Sequence, residues 1–252
     1  MPGDLAVVIP AFNEAERIGA TVRAAAGLSG ADLVVVVDDG SGDDTAAGAE
    51  RAGARVVRHA RNRGKAAALE TGAEAVRLLE SAGANGTAAA GPPHYLLFLD
   101  ADLGDTAAEA GPLAEPVRRG TADMTIAVFV TRVRRGGFGI VTATAGAGIE
   151  RATGWRPAQP VNGQRCLTRA AFEAALPLAA GWGVETGMTI DLLRQGLRVT
   201  EVEVPLAHRA TGQDWRSQLH RARQLADITR ALAVREPATQ RARRAARGAA
   251  RG

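Results

Sequence analysis

Asp100 and Asp102 stand one residue apart at the end of the apolar run Tyr95-Leu96-Leu97-Phe98-Leu99. A continuous run of this kind reads as a strand buried on both faces. Side chains alternate along an extended chain, so the two carboxylates would project the same way and Ala101 the other. That places paired carboxylates at the carboxyl end of a buried strand, where open α/β sheets bind ligands. Their oxygens suit a hard divalent cation such as Mg2+ or Mn2+, which can in turn hold a diphosphate. The same aspartates could also do no more than cap the turn and helix that follow.

Three other segments bear on that choice. Val37-Asp38-Asp39-Gly40-Ser41 is a second apolar run ending in carboxylates. A carboxylate here can accept the N–H of a nucleobase, and the glycine lets the backbone turn tightly. Asp43, Asp44 and Thr45 read as a helix cap. Asn62-Arg63-Gly64-Lys65 sets a glycine before the only lysine of the chain, near a helix start. Backbone N–H groups and an ammonium can jointly hold a phosphate there, although a solvated lysine is the simpler alternative. Val8-Ile9-Pro10-Ala11-Phe12-Asn13-Glu14 is a strand, a polar turn and a helix start without Gly-x-Gly-x-x-Gly. This argues against a nicotinamide or flavin enzyme, and the lack of a Gly-x4-Gly-Lys-Ser/Thr loop argues against a P-loop ATPase. Of the four histidines, only His208 ends a strand followed by a flexible turn, Arg209 to Gly212. A neutral imidazole there could ligate a metal, or His208 could be an ordinary surface residue. His59, His94 and His220 have no such context.

The elements that must position these residues alternate. Strands are predicted at Leu5–Ile9, Leu33–Val37, Ala54–Arg58 and the run ending in Asp100, with helices at Glu14–Ala26, Asp43 or Asp44 to Ala52, and Lys65–Leu79. Ser81 to Pro93 reads as a surface loop. Strand–helix alternation predicts a parallel sheet with helices on both faces. The second part is more mixed: a strand at Met124–Val130, a basic glycine-rich loop at Arg132–Phe138, and a small-residue helix at Gly139–Thr153. A short strand at Arg165–Thr168, helices from Arg169 and over Glu185–Gln195, a strand at Leu197–Val204 and a long helix at Asp214–Val234 follow.

The chain has 252 residues and a net charge of +4. Residues 1–236 are expected to form one domain, with a first part of about 5–130 and a second of 131–236. Residues 237–252 would be a disordered basic tail, with arginines at 241, 243, 244, 247 and 251 and no acidic residue. It reads as a solvated terminus without a nucleic-acid partner; weak peripheral contact with anionic lipid is the alternative. No apolar run approaches the ~20 residues of a membrane span and no signal peptide is visible. The lone Cys166 excludes an internal disulfide and fits a reducing cytoplasm. The apolar face of the last helix could serve a homodimer.

Taken in order and spacing, V-I-P-A-F-N-E, V-D-D-G-S, N-R-G-K and F-L-D-A-D resemble the nucleotide-sugar half of family 2 glycosyltransferases. The resemblance implies an α/β GT-A fold: a Rossmann-like, mostly parallel sheet flanked by helices, with a C-terminal acceptor-side subregion. It implies a nucleoside-diphosphate sugar donor (UDP-glucose or GDP-mannose type), an acceptor hydroxyl, and Mg2+ or Mn2+. Gln159-Pro160-Val161-Asn162-Gly163-Gln164-Arg165, Gly181-Trp182-Gly183-Val184-Glu185-Thr186-Gly187 and Pro205-Leu206-Ala207-His208-Arg209 look similar to glucosyl-3-phosphoglycerate synthases and related retaining enzymes. By matching, Asp102 and His208 would hold the metal, with Asp102, Glu185 and Lys65 as the catalytic set. Pro10, Ala11, Phe12, Glu14, Asp39, Gly64, Lys65, Asp100 and Ala101 would bind the donor. Asn162, Gly163, Gln164 and Arg134 would face the acceptor, which could be a phosphorylated molecule such as 3-phosphoglycerate. The rival reading is a polyprenyl-phosphate glycosyltransferase at a membrane surface, and a non-catalytic nucleotide-binding module is the third.

Overall fold

The computed structural model describes residues 4–83, 92–130, 139–206 and 215–235, the side chains of 215–222 excepted. The first part alternates as β1 (Leu5–Ala11), α1 (Ile18–Ala26), β2 (Ala31–Asp38), α2 (Thr45–Arg51), β3 (Arg55–Arg58), α3 (Lys65–Gly83) and β4 (Tyr95–Phe98). A 3-10 segment, Gly104–Leu113, leads through α4 (Glu115–Arg118) to β5 (Met124–Phe129). The second part holds α5 (Gly139–Thr153), β6 (Arg165–Leu167), α6 (Arg169–Ala174), a 3-10 turn (Gly181–Gly183), α7 (Val184–Arg194), β7 (Val199–Val204) and α8 (Trp215–Val234).

These strands make one sheet in the order β3-β2-β1-β4-β6-β5-β7. All neighbours pair parallel except β6, which runs antiparallel to both β4 and β5. The mostly parallel expectation holds; the reversed strand is an addition, because a short apolar run looks the same in either direction. Period-2 alternation sends Leu5, Val7 and Ile9 of β1 into one core, with α1 and the segment Gly104–Leu113. Ala6 and Val8 enter the other, under α3, α6 and α7. Both faces are covered, which is why β1 and β2 are continuous apolar runs.

The close seat of α3 rests on Gly72. A Cβ there would lie 2.3 Å from Cγ1 of Val8 and 3.2 Å from Cγ2 of Val37. Helix α1 starts at Ile18 rather than Glu14, because residues 13–17 are used to tie loops together. Strand β4 ends at Phe98, so Asp100 and Asp102 lie in the following turn and strand alternation does not set their directions. Among the described residues no helix is long and apolar enough to cross a membrane.

Candidate active site

Parallel strands deliver their carboxyl ends to one edge, and the loops leaving β1, β2 and β4 meet there. Asn13, with φ of 56°, makes the turn after β1; its N–H donates to Oγ of Ser41 at 2.9 Å and its Oδ1 accepts from Gly42 N at 2.9 Å. Glu14 N donates to Oγ1 of Thr45 at 2.8 Å, and Ala15 N to Asp43 at 3.2 Å. Asp43 therefore caps across to α1 as well as to α2, where Asp44 holds the N-cap position without a side-chain bond. Pro10 and Ala11 sit at the foot of this loop, while Phe12 is 47% exposed above it.

Asp39 is buried and accepts three hydrogen bonds: Arg63 N at 2.8 Å, Gly64 N at 2.7 Å and Nδ1 of His59 at 2.6 Å. Nε2 of His59 lies 3.0 Å from Oγ1 of Thr71 on α3. Asp39 thus shapes the β3–α3 loop, and Gly40 lets that loop close. With φ of +76°, a Cβ on Gly40 would stand 2.5 Å from the carbonyl carbon of Arg61. His59, without supporting context in the sequence reading, is part of this structure; its place directly after β3 was the available signal.

At the start of α3, Nζ of Lys65 bridges two carboxylates, Oδ1 of Asp100 at 2.8 Å and Oε1 of Glu185 at 2.8 Å. Burial pushes the ammonium toward losing its proton, but Asp100 and then Glu185 outweigh that and hold its pKa above the ordinary lysine range. The other oxygen of Asp100 accepts Nε2 of Gln164 at 2.7 Å. Gly163 packs against this pair: a Cβ would meet Nζ of Lys65 at 2.3 Å and the Asp100 oxygens at 3.0 and 3.2 Å. The turn 101–104 that carries Asp102 is pinned by Thr21. Its hydroxyl donates to Ala101 O at 2.8 Å and accepts Gly104 N at 2.8 Å.

Asn162 and Gln164, expected to face an acceptor, are both buried. Oδ1 of Asn162 accepts Gln164 N at 2.9 Å and its amide donates to Oε1 of Gln159 at 3.0 Å, while Gln164 serves Asp100. Gly163 and Gln164 both adjoin the Lys65–Asp100 pair, the first by its backbone and the second by its amide. Arg134 and His208 lie outside the described residues, as does the basic tail.

Among the described residues no group of three or more His, Cys, Asp or Glu side chains gathers to hold a metal ion. Asp100 and Asp102, half-buried at the carboxyl edge, still fit an oxygen-seeking cation. Mg2+ commonly takes one or two carboxylates and completes its shell with phosphate and water.

The family model described as glycosyl transferase family 2 matches residues 6–143, more than half the chain. The chain belongs to that family. A relative, glycosyltransferase AglJ of Haloferax volcanii, is 30% identical over 217 residues, 84% of this chain and 66% of that protein. An uncharacterized protein of Methanocaldococcus jannaschii is 34% identical over 123 residues, 49% of this chain and 45% of its own length. The chain therefore spans about two thirds and less than half of these two relatives. Among solved structures, the GT-A glucosyl-3-phosphoglycerate synthase of Mycobacterium tuberculosis is similar. Its complex with Mn2+, UDP-glucose and phosphoglyceric acid is 26% identical with a TM-score of 0.67, covering 92% of this chain and 79% of that one. Its complex with phosphoglyceric acid alone gives 26%, 0.69, 92% and 80%. The likeness confirms the GT-A fold expected from the motifs.

Proposed function

We propose that this family 2 chain is a metal-dependent hexosyltransferase that moves a sugar from a nucleoside diphosphate to an acceptor hydroxyl with retention. The observation that carries the reading is the Lys65 ammonium set between Asp100 and Glu185 at the carboxyl edge of the sheet. Residues 1–236 would form the one catalytic domain, working in the cytoplasm. The synthase of M. tuberculosis binds UDP-glucose, Mn2+ and phosphoglyceric acid, which supports a UDP-linked hexose and a phosphorylated acceptor here.

Asp102, assisted by Asp100 and His208, would hold Mg2+ or Mn2+, whose charge offsets the charge building on the departing diphosphate. Lys65, fully protonated at neutral pH, offers that diphosphate a second positive charge. Glu185, its side chain 5% exposed and fixed by Lys65, orients the sugar hydroxyls. Pro10 to Phe12, Glu14, Asp39 and Gly64 would line the base and ribose. The anomeric C–O bond breaks with its electron pair going to the phosphate oxygen. The acceptor oxygen bonds to the anomeric carbon from the same face and passes its proton to that phosphate oxygen, so no separate protein base is required.

A thermal-shift panel of UDP-glucose, GDP-mannose, GDP-glucose and ADP-glucose, with and without Mn2+, tests the reading. A ligand that binds only the folded state raises the melting temperature. One donor is expected to do so, and only with Mn2+. No shift for any donor under either condition sinks the nucleotide-sugar assignment.

A further inference from the structure

Strand β6 opens on Arg165, which is 1% exposed and heads the fully buried side chains by volume. Its guanidinium joins two separate pieces of chain. Nε donates to Asn162 O at 2.9 Å and Nη2 to Pro160 O at 3.3 Å, both in the turn before β6. Nη1 donates to Oγ1 of Thr189 on α7 at 2.9 Å. The Thr189 hydroxyl passes the link on, donating to Glu185 O at 2.8 Å, one helical turn back. The same turn that Arg165 holds also presents Gln164 to Asp100. In front, Lys65 spans Asp100 and Glu185; behind, Arg165 and Thr189 join the backbone segments that carry Gln164 and Glu185.

Packing does not ask for a cation at this position. No carboxylate among the described residues is paired with the guanidinium at ion-pair distance, and burial pushes its pKa down to about 10, with Glu185 and Glu201 resisting. An apolar side chain of similar volume would avoid the desolvation of a charge. What only the planar fork supplies is several directed donors at once.

We propose that Arg165 is a positioning residue that sets the gap bridged by Lys65, by clamping the 160–164 turn to the first turns of α7. Its bearing on sugar transfer rests on the function proposed above; its bearing on the geometry does not.

The single lysine of the chain makes this testable without any substrate. Protein grown on lysine labelled with 15N at Nζ gives one side-chain signal. In the wild type the hydrogen-bonded ammonium is expected to give a sharp, slowly exchanging resonance. Thr189→Ala and Arg165→Met are expected to broaden it or move it toward a solvated lysine, and Thr189→Ser to restore it. Leu5→Ala, at the opposite end of β1, controls for general destabilisation and is expected to leave the resonance in place. Folded Thr189→Ala with a wild-type Lys65 signal overturns the proposal, whether or not Arg165→Met folds. With UDP-glucose and Mn2+, Thr189→Ala is further expected to lose about tenfold to a hundredfold in kcat while donor Kd changes little, the pattern of misplaced groups. Because the Lys65 signal needs no donor, it decides the proposal even where the wild type binds none of the nucleotide sugars.

Discussion

Lys65 has two carboxylate partners contributed by chain segments far from it in sequence, and each can be altered without changing its shape. Glu185→Gln keeps the outline and removes one charge. Donor turnover is expected to fall by about two to three orders of magnitude, as when a preorganised electrostatic contact is lost, with a normal unfolding transition. Steady-state kinetics beside thermal unfolding checks this. Gly163→Ala puts a Cβ 2.3 Å from Nζ of Lys65, so the ammonium must leave Asp100 or the turn must shift. A large loss of turnover with little loss of melting temperature is expected; unchanged turnover would mean that Lys65 need not stay where it is. Asp39, Lys65 and Asp100 were legible in the sequence because each sits in a short motif at a strand or helix end. The hydrogen-bond partners of Asn162 and Gln164 were not, since a polar residue in a loop carries no mark of the partner it will meet. Nor was the burial of Arg165, because arginine in an arginine-rich chain reads as surface.

The elements were legible where apolar period was strong, as in β1, β2 and α3, and their ends were not, because caps and ties set them. Helix α3 shows what holds the layers. Gly72→Ala would overpack against Val8 and Val37, an effect worth about 1–3 kcal/mol, and should lower the denaturation midpoint. His94, just before β4, is fastened to Glu80 of α3 at 2.8 Å and to Asp32 of β2 at 2.9 Å. Burial pushes its pKa down, but the bonds to Asp32 and Glu80 win and hold it above the ordinary value of 6.5. A raised histidine contributes stability that is complete below 6.5 and is lost as pH rises through its folded value. Unfolding free energy should therefore decline as pH climbs above 6.5, and His94→Gln should remove that part of the slope. An unchanged slope would mean that other groups carry it.

At the scale of the whole molecule, Cys166 lies in β6 between β4 and β5, fully buried, with burial pushing its thiol up to about 12. A thiol so placed reacts only when the sheet opens. Alkylation at pH 8 should track global unfolding, and a bound donor with Mn2+ should slow it; rapid labelling of the native protein would contradict the arrangement. The reversal of β6 was beyond the sequence reading, yet it adds a segment to the carboxyl edge of the sheet. Because β6 runs backward, its beginning rather than its end meets the loops of β1, β2 and β4, which is how Gln164 reaches Asp100. The order of synthesis then matters. A nascent chain that has released α3 and β4 from the ribosome already owns Lys65 and Asp100, but neither Gln164 nor Glu185. It can form only half of a constellation whose remaining members are translated later. A polypeptide ending before α7 has Lys65, Asp100 and Gln164 but no Glu185, so the ammonium keeps one carboxylate partner of its two.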